Sequence, residues 1–321
     1  MSGRQTYLFP DLYQESDAPK PVNVASIPQR SPFRYPGGKT WFVPTFRAWI
    51  GSLYFKPKAL IEPFAGGGII SLTGLFEQLI DCAVMVELDE EVAAVWLAVV
   101  KGHAEWLAKR ILEFNLTRES VSHEISKTDV SLREKAFQTI LKNRTLHGGI
   151  LADGSGFIKH GESGKGISSR WYPTTLARRF TDLNLIADRI DFRQEDGIEV
   201  IGQYSQQSDV VFFIDPPYTA GGKRAGRRLY RHSEIDHERL FAICESIEGD
   251  FLMTYDNAEE VKAMARSHGF QMRLIPMTNT HHATMEELVI GKELSWMDKY
   301  PRVQEAKAGY KKRSFTKRSP S

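Results

Sequence analysis

Asp215-Pro216-Pro217-Tyr218 directly follows Val210-Val211-Phe212-Phe213-Ile214, the most strand-like run in the chain. At a strand end this tetrapeptide offers two hydrogen-bond acceptors side by side, the Asp215 carboxylate and the Pro216 carbonyl. Pro217 keeps the preceding residue extended and each proline fixes its own φ, so the carbonyl is aimed in advance and little reorganises during a reaction. Two fixed acceptors suit an amino group conjugated to an aromatic ring. Its lone pair is delocalised, and both N–H bonds must be drawn toward tetrahedral geometry before the nitrogen attacks. Tyr218 adds an aromatic face on which a flat ring stacks. The bland alternative is a proline-stiffened turn that caps a strand.

A second group lies upstream. Glu62-Pro63-Phe64-Ala65-Gly66-Gly67-Gly68 sits where the strand-like run Ala59 to Glu62 turns into a helical stretch, and glycines there admit positive φ and close approach of a ligand to the backbone. Glu87 closes the next apolar run, Ala83 to Val86, where an acid accepts hydrogen bonds from both hydroxyls of a ribose. Ile69, Ile70 and Ser71 follow the glycines, so the G-x-G-x-x-G spacing of pyrophosphate-binding loops is missing, which suits a nucleoside ligand without one. Tyr35-Pro36-Gly37-Gly38-Lys39 offers two glycines and a lysine, able to form either a carboxylate-binding turn or an ordinary glycine turn.

These groups need a frame. Strand-like runs at 59–62, 83–86, 189–193, 210–214, 251–254, 272–275 and 287–290, separated by helical stretches, predict an α/β fold with a doubly wound sheet. Residues 101–184 break this rhythm with amphipathic helices, a glycine-rich interruption from Gly148 to Gly166 and many basic residues, and read as an inserted, mainly helical subdomain. The expected organisation is a disordered leader over 1–30, a sheet domain from 31–100 and 185–296, the insert at 101–184, and a basic tail at 297–321.

Composition narrows the classes. The 321 residues are 41% hydrophobic and 26% charged, ordinary for a soluble globular protein. No apolar run approaches membrane-spanning length, and the N-terminus has no basic region followed by an apolar stretch, so a cytoplasmic protein with no membrane partner is expected. Cys82 and Cys244 have neither metal nor redox spacing, and His232, His237, His281 and His282 lack companion ligands, so no metal is expected. The net charge of +2 hides clusters: Lys223, Arg224, Arg227, Arg228 and Arg231 lie together without an acid, and Lys307, Lys311, Lys312, Arg313, Lys317 and Arg318 crowd the tail. Such runs suit a nucleic acid, or else a solvated surface.

Taken together, these motifs resemble the Dam-like, D12-class adenine-specific DNA methyltransferases, over about residues 31 to 292. The resemblance implies a Rossmann-like S-adenosylmethionine-dependent sheet with a DNA-recognition insert. It also implies methylation of the exocyclic N6 of adenine in double-stranded DNA after the base is flipped out. Asp215, Pro216, Pro217 and Tyr218 match the catalytic motif. Tyr35, Gly38 and Lys39 match the motif around the methionine part of the cofactor; Phe64, Gly66 and Gly68 match its F-x-G-x-G loop. Glu87 stands at the ribose acid, usually aspartate, and Asp196 at the acid that accepts from the cofactor's adenine. Glu286-Glu287-Leu288 resembles the closing strand.

In the insert, Asn143-Arg144, Gly148-Gly149 and Gly156-Phe157 follow the order of the family's target-recognition region. Leu146 and His147 depart from its Tyr-Asn pair, so the recognition sequence stays open. Asn143, Arg144 and His147 are the expected DNA contacts there, with Arg144 alternatively a structural pair-former; Lys223, Arg224, Arg227 and Arg228 are the expected phosphate contacts beside the flipped base. A separate restriction endonuclease is compatible as a partner. Two rivals remain: an RNA adenine-N6 methyltransferase, expected to lack the Tyr35–Lys39 motif and the insert, and a non-catalytic DNA-binding protein on the same fold, expected to have lost Asp215 or the glycine loop.

Overall fold

The computed structural model describes residues 22–34, 38–149, 155–161, 164–217, 235–278 and 284–299. Seven strands form one mixed sheet in the order β3-β2-β1-β4-β5-β7-β6. They are β1 (Ala59–Glu62), β2 (Cys82–Val86), β3 (Ile190–Arg193), β4 (Val210–Ile214), β5 (Asp250–Asp256), β6 (Gln271–Thr278) and β7 (Thr284–Gly291). The first five pair in parallel, and β7 runs antiparallel to both β5 and β6. Pro276, which lacks an N–H for a sheet ladder, lies in the edge strand β6, where one side needs no partner.

The helices, in chain order, are α1 (Val43–Ser52), α2 (Ile69–Phe76), α3 (Glu90–Ala98), α4 (Ala104–Glu113), α5 (Arg118–Ile125), α6 (Leu132–Thr145), α7 (Pro173–Asn184), α8 (Gly197–Tyr204), α9 (His237–Glu245), α10 (Glu259–Ser267) and α11 (Trp296–Lys299). Parallel strands covered on both faces are apolar throughout, and β1 and β4 are buried at every position. The period of two along each strand splits the core. Leu60, Met85 and Phe213 pack with α1, α2 and α3, whereas Ile61, Val84 and Phe212 pack with α8, α9 and α10.

Between β2 and β3 the chain forms α3 to α7 and no strand among the described residues. Local chemistry starts these helices. Thr117 and Ser120 form a capping box before α5, Ser131 and Glu134 one before α6, and Pro173 opens α7 where its missing N–H costs nothing. This insert has no separate core: Phe137, Ile140 and Phe180 belong to the same buried cluster as Trp96 and Phe213. Burying those faces against the sheet domain is what fixes the insert on it.

Two expectations need correction. The disordered leader was expected to run to residue 30, yet the chain is anchored from residue 22 onward: Ile27 is buried, and Arg30 Nη2 lies 3.0 Å from Glu77, whose carboxylate also binds Arg47 at 2.8 Å. Strands β6 and β7 are longer than their apolar cores, because their outer ends pair with each other from Ile275↔Glu287 to Thr278↔Thr284.

Candidate active site

Adjacency of β1 and β4 creates the site. From β1 the chain winds outward through β2 and β3, then returns to start β4 on the other side of β1. The loops leaving β1 and β4 therefore open side by side at the switch point, where open α/β sheets bind ligands. The first carries Pro63 to Gly68, and the second begins with Asp215.

Asp215 is held by a compact ionic group. Lys39 Nζ lies 3.0 Å from Asp215 Oδ1 and 2.8 Å from Glu287 Oε1, and Thr254 Oγ1 donates to the same Asp215 oxygen at 2.9 Å. The three partners come from different elements: Lys39 from the short turn before α1, Thr254 from β5 and Glu287 from β7. Burial alone would lower the Lys39 pKa, but the two carboxylates outweigh it and raise the ammonium above its ordinary value. The Asp215 carboxylate is thus fixed in orientation by a cation that does not lose its proton. Pro216 is buried and Pro217 half-buried.

Glu62, the last residue of β1, stands behind this group. Burial pushes its carboxyl up to about 8; hydrogen bonds from the Ser71 hydroxyl and backbone N–H act against the rise, and the charge of Asp215 adds to it. Ser71 N donates to Glu62 Oε2 at 3.0 Å. At neutral pH Glu62 mostly keeps its proton, which spares the site a further buried negative charge.

The glycine loop is tightly built. Gly66 and Gly68 have φ of +46° and +63°, and a Cβ on Gly68 would lie 2.4 Å from Met85 Cε. Trp96 Nε1 donates to the Gly66 carbonyl at 2.9 Å. Glu87 is half-buried, and its two oxygens accept from Gly66 N and Asp89 N, each at 3.0 Å. Burial raises its carboxyl to about 7, with backbone hydrogen bonds opposing the shift. Phe64 is half-buried beside the loop. Asp196 is brought to the same place because Gly197 packs on the loop so closely that a Cβ would lie 2.2 Å from the Pro63 carbonyl oxygen.

A carboxylate at the end of β2, a side-chain-poor loop and a second acid beside it fit an adenosine-type group: acceptors for ribose hydroxyls and an amino group. Asp196 also caps α8, its Oδ1 accepting from Ile198 N at 2.8 Å. Gly38 is exposed at the start of the turn that carries Lys39. Lys39, expected at the cofactor, has its ammonium on Asp215 and Glu287.

The insert residues need a second correction. Asn143 is fully buried: its Nδ2 donates to the carbonyls of Arg34 and Gly149, each at 2.9 Å, and its Oδ1 accepts from Arg34 N at 2.8 Å. Arg144 is 5% exposed and donates from Nη2 to the Pro32 carbonyl. Neither side chain is presented to DNA; both fasten the segment that leads into the Lys39 turn. His147 is exposed in the turn after α6, with its backbone N–H bonded to the Gly156 carbonyl at 2.9 Å. Tyr35, Tyr218, Lys223, Arg224, Arg227 and Arg228 lie outside the described residues.

Sequence reasoning passed over Glu62, Thr254 and Trp96, and noted Glu287 only as part of a strand. The two acids and the threonine leave a faint signal: such a residue inside an apolar strand run is costly unless paired. Among the described residues no three His, Cys, Asp or Glu side chains are grouped to hold a metal, and no helix is long and apolar enough to cross a membrane.

Solved structures with a similar chain course include an rRNA methyltransferase, AviRa, from Streptomyces viridochromogenes (13% identity, 78% of this chain and 82% of that one, TM-score 0.34). Another is a precorrin-6y C5,15-methyltransferase from Geobacter metallireducens (7% identity, 77% of this chain and 85% of that one, TM-score 0.32). A search of curated protein sequences gives no match. A sequence model of the D12 class N6 adenine-specific DNA methyltransferases matches residues 35–276, which span the glycine loop, residues 101–184 and the Asp215–Tyr218 tetrapeptide. With an α/β methyltransferase sheet and three-quarters of its length matched, the chain belongs to the D12 class of N6 adenine-specific DNA methyltransferases.

Proposed function

We propose that the protein transfers a methyl group from S-adenosylmethionine to the N6 nitrogen of adenine in double-stranded DNA, acting on a base taken out of the stack. The observation that carries this reading is the Asp215 carboxylate, fixed by Lys39 and Thr254 at the mouth of β4 beside the glycine loop of β1. When bound, the donor supplies an electrophilic methyl group on a sulfonium. Glu87 accepts from the ribose hydroxyls, Asp196 from the adenine amino group, and the Gly66–Gly68 loop lets the nucleoside approach the backbone. Asp215 and the Pro216 carbonyl each accept one N–H of the target amine, which shifts its lone pair toward the attacking geometry. Asp215 is then the base closest to the proton that the nitrogen sheds.

A duplex cannot offer an adenine amino group to such a pocket while paired, which is why extrusion belongs to the reading. Tyr218 is the stacking surface for the extruded ring. The insert, residues 101–184, is the element that reads the target, with His147 on its exposed turn and the basic run Lys223 to Arg231 on flanking phosphates.

One experiment tests the assignment. Asp215→Ala should abolish methyl transfer to duplex DNA in a radiolabel assay while leaving cofactor affinity within a few-fold by calorimetry. Glu87→Ala should show the reverse order, losing cofactor affinity first by roughly 1.5–3 kcal/mol, the value of hydrogen bonds to a charged acceptor. Near-normal turnover by Asp215→Ala would sink the mechanism. Wild-type activity on RNA but not on duplex DNA would transfer the reading to the RNA alternative.

A further inference from the structure

We propose that Trp96 is a positioning residue for the cofactor: its indole holds the Gly66 carbonyl inside the fold and so sets the shape of the loop on which the donor nucleoside lies. The proposal rests on the reading of the chain as an S-adenosylmethionine-dependent methyltransferase, and it deepens that reading with a residue that no motif of it includes.

Glycine has no side chain to restrict its own backbone, so a glycine loop keeps one shape only if its peptide groups are held from outside. Around Gly66 two groups do this. Its N–H donates to Glu87 Oε2 at 3.0 Å, and its carbonyl accepts from Trp96 Nε1 at 2.9 Å. These bonds lie on either side of the Gly66 Cα and together hold both of its dihedrals, including a φ of +46°. Gly68 N closes the turn by donating to the Ala65 carbonyl at 2.7 Å. The indole edge lies against Gly68 as well, where a Cβ would meet Trp96 Cζ2 at 3.1 Å.

A trans peptide points its N–H away from its C=O. With the Gly66 carbonyl drawn toward the fully buried indole, the Gly67 N–H turns to the opposite side. Gly67 is half-buried whereas Gly66 and Gly68 are buried, so that side is the open one. A ligand on the loop therefore meets an N–H whose direction Trp96 sets. Glu87, the acceptor assigned to the ribose, is bonded to the same glycine, so a turn of Gly66 disturbs its carboxylate too. Trp96 is in turn braced by Phe33, 5% exposed, whose ring lies 5.8 Å away in a tilted pair. Phe33 belongs to the segment that Asn143, Arg144 and Arg179 fasten to α6 and α7. The insert thus reaches the cofactor loop through two aromatic rings.

The test separates donor affinity from turnover. Trp96→Phe keeps an aromatic ring on α3 and removes the N–H, leaving the buried Gly66 carbonyl unsatisfied. It should weaken S-adenosylmethionine binding about 10-fold by calorimetry and raise the donor KM in step. At saturating donor, kcat should stay within about 3-fold of the wild type. Phe33→Leu keeps the indole and loosens its brace, and should weaken donor binding about 3-fold with the same split. Wild-type donor affinity in both variants overturns the proposal. A fall in kcat with donor affinity unchanged also overturns it, because that would mark Trp96 as structural only. If Trp96→Phe does not fold, Phe33→Leu decides alone on the same two criteria. If the wild type binds no S-adenosylmethionine, the functional reading has failed, and Trp96 is judged by amide hydrogen exchange. Selective acceleration in the peptide spanning Gly66 to Ser71 of Trp96→Phe supports its hold on the loop, and any other pattern overturns it.

Discussion

Lys39 and Arg144 are buried to the same degree, each 5% exposed, yet the fold treats the two cations in opposite ways. Around Lys39 it places two carboxylates, one just after β4 and one on β7, and the ammonium holds its proton more tightly than in water. Around Arg144 it places three further arginines and backbone carbonyls, and the guanidinium is pushed down to about 9. Burial lowers both cations and is the largest single cause in each; the sign of the neighbours decides whether it is outweighed, as at Lys39, or reinforced, as at Arg144. The first cluster is complete within the chain and serves to aim Asp215. The second holds segment 31–34 through the Pro32 and Ser31 carbonyls.

The largest test breaks the complete cluster. Lys39→Met leaves Asp215 and Glu287 facing each other without a cation, and should cost about 3–5 kcal/mol of stability in denaturant unfolding, with methyl transfer lost. Adding Glu287→Gln to Lys39→Met should recover part of that stability, because the repulsion goes with the second charge. A double variant no more stable than the single one would show that the Lys39–Glu287 pair contributes packing rather than charge.

Glu62 tests whether that cluster depends on a retained proton. Its folded pKa of about 8 lies above the ordinary value of 4.5, so the native protein keeps a proton that the unfolded chain releases over this interval. The contribution is full below about 4.5 and is lost as pH rises through 8, up to roughly 5 kcal/mol for a shift of this size. Glu62→Gln should therefore unfold with a flatter dependence on pH between 5 and 8.5, gaining on the wild type toward the alkaline end. Parallel curves for the two proteins would mean that Glu62 is ionised in the fold.

The smallest effect belongs to the second cluster. Asn143→Ala removes three hydrogen bonds that tie Arg34 and Gly149 to α6, and should cost about 1–3 kcal/mol. It should also raise protease sensitivity in residues 30–40 before global unfolding. A full-strength digestion pattern like that of the wild type would show that the arginines alone suffice to hold the segment.

The amino-acid order by itself determined the strands of the parallel half, because a strand covered on both faces must be apolar throughout and β1 and β4 are short, unbroken and flanked by turn residues. It also determined the motif-bearing loops, since glycines and prolines act on their own backbone and need no distant partner. What the tertiary structure decided is which groups meet. Glu287 lies 248 positions from Lys39, and no local pattern says that β7 would run between β5 and β6 and bring that carboxylate to the ammonium. Asn143 and Arg144 have polar side chains at a helix end, where exposure is the ordinary expectation, and only the packing of segment 31–34 across α6 turns them inward. A polar residue's role is set by the partners within about 3 Å of it, and those partners are supplied by the fold.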